Sequence, residues 1–216
     1  LDKAEVCTIG VDWGGADDLA ALCLLGRFPD KSWGAWVKAW ARPSVFKARP
    51  KIADRLRDFQ RAGDLSVVPT GEAQAAEAAD ICQRVFEAGL LPAEGGIGLD
   101  SAGIDLLIDA LDTRGLVYPL VVPVPQGWKL QSVVSGVPLR LEAGTLVHGG
   151  QPLMAWGVGN AKQRLKGSNY VVEKELAGAG KIDGLIALFN AAMRMRENPQ
   201  AAGHGSYMDS EPMMVL

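Results

Sequence analysis

Three aspartates mark points where a chain element ends or begins: Asp12 closes Thr8-Ile9-Gly10-Val11-Asp12, Asp100 closes Gly96-Ile97-Gly98-Leu99-Asp100, and Asp183 opens Asp183-Gly184-Leu185. Carboxylates at the ends of apolar segments are costly to gather, because like charges raise one another's pKa unless a cation holds them ionised. A hard divalent cation with oxygen ligands removes that cost. Mg²⁺ or Mn²⁺ suits such a donor set and commonly serves phosphate chemistry. Taken singly, each Asp would read as a turn or capping residue, the usual role of Asp beside Gly and Ser. All three at convergent positions read as a metal site for phosphodiester chemistry. Asp17 and Asp18, close after Asp12, are weaker candidates for a further ligand.

The elements that must position these residues follow from periodicity. Val6 to Val11 is a β-rich run. A short polar and glycine-containing stretch leads to a second apolar run, Leu19 to Leu25, and Trp33 to Trp40 alternates with period two, so three strands form a meander. A proline-bounded linker, Arg42 to Pro50, precedes an amphipathic helix over Ile52 to Ala62. Then follow a short strand at Leu65 to Pro69, a helix at Ala73 to Ala88 and a strand at Gly95 to Leu99. A helix at Ile104 to Leu111 is opened by Ser101, with a strand at Leu120 to Val124 and a helix at Gly127 to Glu142 beyond it. Residues 162 to 175 read as an exposed hairpin, and Ile182 to Met195 as the last helix. A meander followed by alternating strands and helices predicts an α/β fold of ribonuclease H-like type: a mixed central sheet, antiparallel meander plus parallel strands, flanked by helices. Asp12 and Asp100 then meet at the sheet centre, and the last helix brings Asp183 to them.

Composition bounds the alternatives. The chain has 216 residues, 48% hydrophobic and 22% charged, enough for one compact domain with a full core. No apolar run approaches the roughly 20 residues that cross a bilayer, and no secretory leader is evident at the start, so a soluble intracellular protein is expected. The opening reads as that of an excised domain. Cys7, Cys23 and Cys82 are odd in number and widely spaced, and read as buried thiols. A net charge of −3 gives no global attraction to nucleic acid, so DNA contact must be local. One basic cluster, Lys47, Arg49, Lys51, Arg55 and Arg57, reads as a solvated helix face. The other, Lys162, Arg164, Lys166 and Lys174 in the hairpin, is the candidate DNA contact. His148 reads as a structural hydrogen-bonding residue in a turn. Trp33, Trp36, Trp40, Trp128 and Trp156 read as core. Phosphate-loop, HExxH and GxSxG motifs are absent.

With these residues in hand, the sequence resembles the C-terminal nuclease domain of the large terminase subunit of tailed bacteriophages, over nearly all the chain up to about Arg196. Four ordered motifs carry the resemblance: Gly10-Val11-Asp12-Trp13-Gly14-Gly15-Ala16-Asp17-Asp18-Leu19, Ile97-Gly98-Leu99-Asp100, the stretch from Leu146 through His148, Pro152 and Trp156 to Asn160, and Lys181-Ile182-Asp183-Gly184-Leu185-Ile186-Ala187-Leu188. Trp13, Gly14 and Ser101 depart from the family pattern. The resemblance implies a nuclease domain over residues 1–197, while the tail over 198–216, rich in Gly, Ala, Ser and Met and without periodicity, is expected to be poorly ordered. It implies metal-dependent endonucleolytic cutting of concatemeric viral DNA during packaging, by two-metal hydrolysis with two Mg²⁺ or Mn²⁺ ions. Asp12 would be shared by both ions, with Asp100 and Asp183 each completing one. Implied partners are double-stranded DNA, an ATPase motor domain absent from this chain, the portal and the small terminase subunit, in the host cytoplasm. The alternatives are a resolvase- or transposase-like nuclease and a non-catalytic docking module of the packaging motor.

Overall fold

The computed structural model describes residues 1, 3–15, 17–100, 103–167, 169–174 and 180–203. Three antiparallel strands open it: β1 (Val6–Asp12), β2 (Ala20–Arg27) and β3 (Trp33–Ala41). Where a linker was expected after them, Pro43–Ala48 forms a short helix, α1, followed by a 3₁₀ turn at Pro50–Ile52. Pro at each first helical position explains the difference, since its fixed φ starts a helix as readily as it ends one.

The remaining elements are α2 (Ala53–Arg61), β4 (Leu65–Val67), α3 (Gly71–Glu87), β5 (Ile97–Leu99), α4 (Asp105–Asp112) and β6 (Val121–Pro123). A 3₁₀ turn at Gly127–Leu130 then leads into α5 (Gln131–Glu142), β7 (Leu146–His148) and α6 (Pro152–Gly159). The hairpin is β8 (Ala161–Lys166) and β9 (Asn169–Lys174), and α7 (Asp183–Met195) closes the fold. Ile104, not Ser101, stands at the N-cap of α4, and Ser101 itself lies outside the described residues.

The main sheet runs β4-β3-β2-β1-β5-β6, with β7 also on β3; β5 is parallel to β1, β6 to β5, and β4 and β7 to β3. This is the mixed sheet anticipated from the order of elements. Period-two alternation divides it between two cores. Cys7, Ile9, Val11, Ile97 and Leu99 face α3 and α4, while Val6, Ala21, Cys23, Leu25 and Val37 face α5, α6 and α7. Burial pushes the thiols of Cys7 and Cys82 up to about 11 and about 12 and raises that of Cys23, so all three are inert core residues. Among the described residues no helix is long and apolar enough to cross a membrane.

Trp33 and Trp40 are core as read, but Trp36 is 37% and Trp128 60% exposed. Trp36 sits on an outward position of β3, and Trp128 in the 3₁₀ turn before α5 rather than inside the helix. Asn198 and Pro199, read as the start of a loose tail, accept hydrogen bonds from the buried Arg27 guanidinium (2.7 and 2.8 Å), and Ala202 N donates to Leu91 O. Residues 204–216 lie outside the described residues.

Candidate active site

β1 carries the site because of one glycine. A Cβ on Gly10 would lie 2.1 Å from Ala191 N and 2.2 Å from Ala187 O, so only glycine lets the backbone of α7 rest on the centre of the strand. Two bonds fix that approach: Thr8 Oγ1 donates to Ala191 O (2.9 Å) and Asn190 Nδ2 donates to Val11 O (2.8 Å). Both polar side chains are fully buried, and each bond satisfies a group that burial would otherwise penalise. Thr8 and Gly10 face α7, so the same parity carries Asp12 toward the α7 layer. On β5, Gly98 lies against Arg194 of α7, and Asp100 follows two positions on.

The registers then bring the first two aspartates together. Val11 pairs with Leu99, and Asp100 N donates to Val11 O (3.3 Å), placing Asp12 and Asp100 at adjacent ends of parallel strands. Asp183 is the first residue of α7, only 6% exposed, and its Oδ2 is buried with no hydrogen-bond partner. An orphaned carboxylate oxygen on the same layer as Asp12 fits a cation-binding role, and an all-carboxylate donor set fits a hard divalent ion. The side chains as placed do not close on a single point. Among the described residues, no three His, Cys, Asp or Glu side chains are gathered closely enough to hold one ion.

A lysine accompanies them instead. Lys181, whose side chain is 3% exposed, forms an ion pair with Asp18 and lies under the electrostatic influence of both Asp183 and Asp12. Burial pushes its ammonium below the usual lysine range, an effect opposed by those two carboxylates. Asp18 also accepts from Leu19 N (2.8 Å) and pairs with Arg49 (3.4 Å), whose Nε donates to Asp17 O (2.9 Å). Asp18 is thus engaged by two side-chain cations and a backbone amide. Arg49, read as part of a solvated helix face, lies between α1 and the 3₁₀ turn and anchors the loop after Asp12.

The motif from His148 to Asn160 builds the wall of the site. β7 covers residues 33–35 of β3 and β4 covers 39–41. The amide of Gln151 fills the gap between them: Val37 N donates to Oε1 (2.8 Å) and Nε2 donates to Val37 O (2.7 Å). Asp64 accepts from Gln151 Nε2 and from Leu153 N (each 3.0 Å), capping α6, whose first residue is Pro152. Trp156 packs on Phe59 at 5.3 Å, and Asn160 Nδ2 donates to Lys181 O (3.1 Å). His148 Nδ1 accepts from Gly150 N (3.1 Å), the turn role read from sequence. Gln151, Asn160 and Lys181 escaped sequence reasoning as parts of the site. All three lie within the family-like motifs, which was the available signal. Gln151→Leu should cost about 3 kcal/mol, since two polar groups of the buried Val37 lose their partners; chemical denaturation measures it.

In the hairpin, Lys162, Arg164 and Lys166 alternate along β8 and share a face with Glu173, which pairs with Arg164 (3.4 Å) and Lys166. Lys166 and, more weakly, Arg164 hold the Glu173 carboxyl below its usual range. Lys174 pairs in register with Ala161, and its side chain lies outside the described residues. Val171 is buried where β9 leans on α5.

No family model and no curated protein matches the sequence. Solved structures are similar in fold. The HK97 bacteriophage large terminase superposes with a TM-score of 0.71 at 22% identity, over 88% of this chain and 40% of that one. The chain has the ribonuclease H-like fold of large terminase nucleases. The large terminase nuclease of thermophilic phage G20c, solved with bound magnesium, gives a TM-score of 0.54 at 15% identity over 87% of this chain and 80% of that one. The Thermus phage P74-26 large terminase nuclease domain gives 0.53 at 15% over 86% and 77%. At these identities the likeness is one of fold, and the chain spans two-fifths of the HK97 protein's length.

Proposed function

We propose that this chain is a divalent-metal-dependent endonuclease domain that cuts concatemeric viral DNA during genome packaging. One observation carries the reading: on a terminase-type fold, Asp12 and Asp100 end adjacent parallel strands while the orphaned carboxylate oxygen of Asp183 lies at the start of the helix seated on β1. Asp12, Asp100 and Asp183 would hold the metal, with two Mg²⁺ or Mn²⁺ ions as the full complement. A divalent ion bound there supplies charge that lowers the pKa of water and stabilises the leaving oxygen. The chain's own residues set the rest. Thr8 and Asn190 fix the middle of α7 against β1, and the Gln151–Asp64 clamp holds α6 over the segment that carries Lys181 and Asp183. The G20c nuclease structure with magnesium supports the choice of metal.

The cationic face of β8 is the proposed contact for double-stranded DNA, with Lys174 as a further member. Such contacts are with phosphates and carry little sequence information. Replacing Lys162, Arg164 and Lys166 together by Ala should weaken DNA binding across all sequences. The slope of log K against log salt should fall by up to about 2.7, with fluorescence anisotropy as the measurement. Glu173 already engages Arg164 and Lys166, so the fall should stay below that upper bound. A motor domain, the portal and the small terminase subunit are the proposed partners, in the host cytoplasm.

Cleavage of supercoiled plasmid by the purified chain tests the reading. Nicking and linearisation with Mg²⁺ or Mn²⁺, and none in EDTA, is the expected result. The docking-module alternative draws on the absence of a closed three-carboxylate group among the described residues. A folded chain inert with both metals would favour it, and a strong preference for branched substrates would favour a resolvase-like enzyme.

A further inference from the structure

Lys181 is a costly residue to place where it is. An ammonium buried to 3% exposure loses its hydration and is retained only if carboxylates replace it. Here Asp18 pairs with it directly, and Asp12 and Asp183 both act on its charge. The segment holding it is fixed twice. Asn160 Nδ2 bonds Lys181 O, and a Cβ on Gly180 would lie 2.3 Å from the Asn160 amide carbon.

We propose that Lys181 is the resident cation of this carboxylate site: its ammonium, tethered by Asp18, neutralises Asp12 and Asp183 when no divalent ion is bound, and competes with that ion for them. The proposal rests on the metal-dependent reading above. Asp18 is then the residue that holds the competing cation, with Arg49 securing Asp18 in turn. A flexible four-carbon stem lets the ammonium withdraw as an ion enters, a movement that the carboxylates on fixed strand and helix ends do not have to make. Lys181 is a positioning residue, with no role in the chemistry assigned to it.

Mn²⁺ binding by calorimetry, with melting temperatures in EDTA and in Mn²⁺, tests this on wild type, Lys181→Met, Lys181→Arg and Asp183→Asn. Lys181→Met should bind Mn²⁺ about tenfold tighter than wild type, because a unit charge a few ångströms from the ion is removed. It should also melt lower in EDTA and gain more from Mn²⁺. Lys181→Arg keeps the charge and should match wild-type affinity, a result that packing alone would not give. Binding by Lys181→Met that is no tighter than wild type, with Asp183→Asn unable to bind, overturns the role of Lys181 and leaves the metal site standing. No binding by either wild type or Lys181→Met overturns the metal reading itself. Should Lys181→Met be unfolded in EDTA, recovery of native ellipticity with Mn²⁺ supports the proposal and failure to recover overturns it.

Discussion

Asp183→Asn is expected to lower metal-dependent plasmid cleavage by about 10²-fold or more while leaving the protein nearly as stable as wild type in EDTA. The two halves of that result have one cause. Asp183 is 6% exposed and its Oδ2 has no hydrogen-bond partner, so the metal-free fold makes no hydrogen bond with that oxygen, and Asp18 still pairs with Lys181 when the Asp183 charge is removed. The amide is nearly isosteric and carries no charge, so folding loses little. Metal affinity loses a ligand, and even residues that only support ligands are worth 10- to 100-fold. Cleavage of supercoiled plasmid across a Mn²⁺ series, with a thermal melt of the same samples, checks both halves. A variant that melts well below wild type would mean that Asp183 serves the fold. A stable variant with undiminished cleavage would remove Asp183 from the site. Asp12→Asn and Asp100→Asn should lose cleavage likewise.

Gly10→Val should destabilise the protein by about 3 kcal/mol or more, the upper end of what overpacking costs. The atoms that the new Cβ would meet, Ala191 N and Ala187 O, belong to helix backbone and cannot turn aside as a side-chain end can. α7 must therefore lift from β1, breaking the Thr8–Ala191 and Asn190–Val11 bonds together. For a chain of this size the melting temperature should fall by roughly 10 °C. Since α7 carries Asp183, cleavage should fall with it even below the melting transition. A Gly10→Val protein that melts like wild type would show that α7 does not sit on this glycine.

Much of the frame was legible because it is local. The alternation in Trp33–Ala41 and the apolar run of Val6–Asp12 are period-two signals. The 3.6-residue spacing of Ile182, Ile186, Phe189 and Met193 marks α7 equally well. Helix boundaries were less legible. The prolines at 43 and 50 serve equally to stop an element and to start one, so α1 was read as a linker. β7 has only three residues and is a strand solely because the edge of β3 accepts it. The exposure of Trp36 and Trp128 follows the same rule: residue type favours burial, but strand face and the start of α5 set what each one meets.

The sequence by itself determined the chemistry available: three carboxylates at element ends, their order, and the strand parity that turns Asp12 and the residue after Leu99 toward one layer. Periodicity and residue type act over a few positions, so they survive without a partner in space. Only the tertiary structure decided that Gly10 is the seat of α7, that Gln151 completes the open edge of β3, and that Lys181 pairs with Asp18 within the field of Asp12 and Asp183. Apart from the neighbouring Lys181 and Asp183, each of these joins residues more than 100 positions apart, and close approach or burial gives such pairs their energy. A lysine two residues before the start of α7 has no property in the sequence that distinguishes it from a solvated one. Burial beside three carboxylates makes it part of the candidate site.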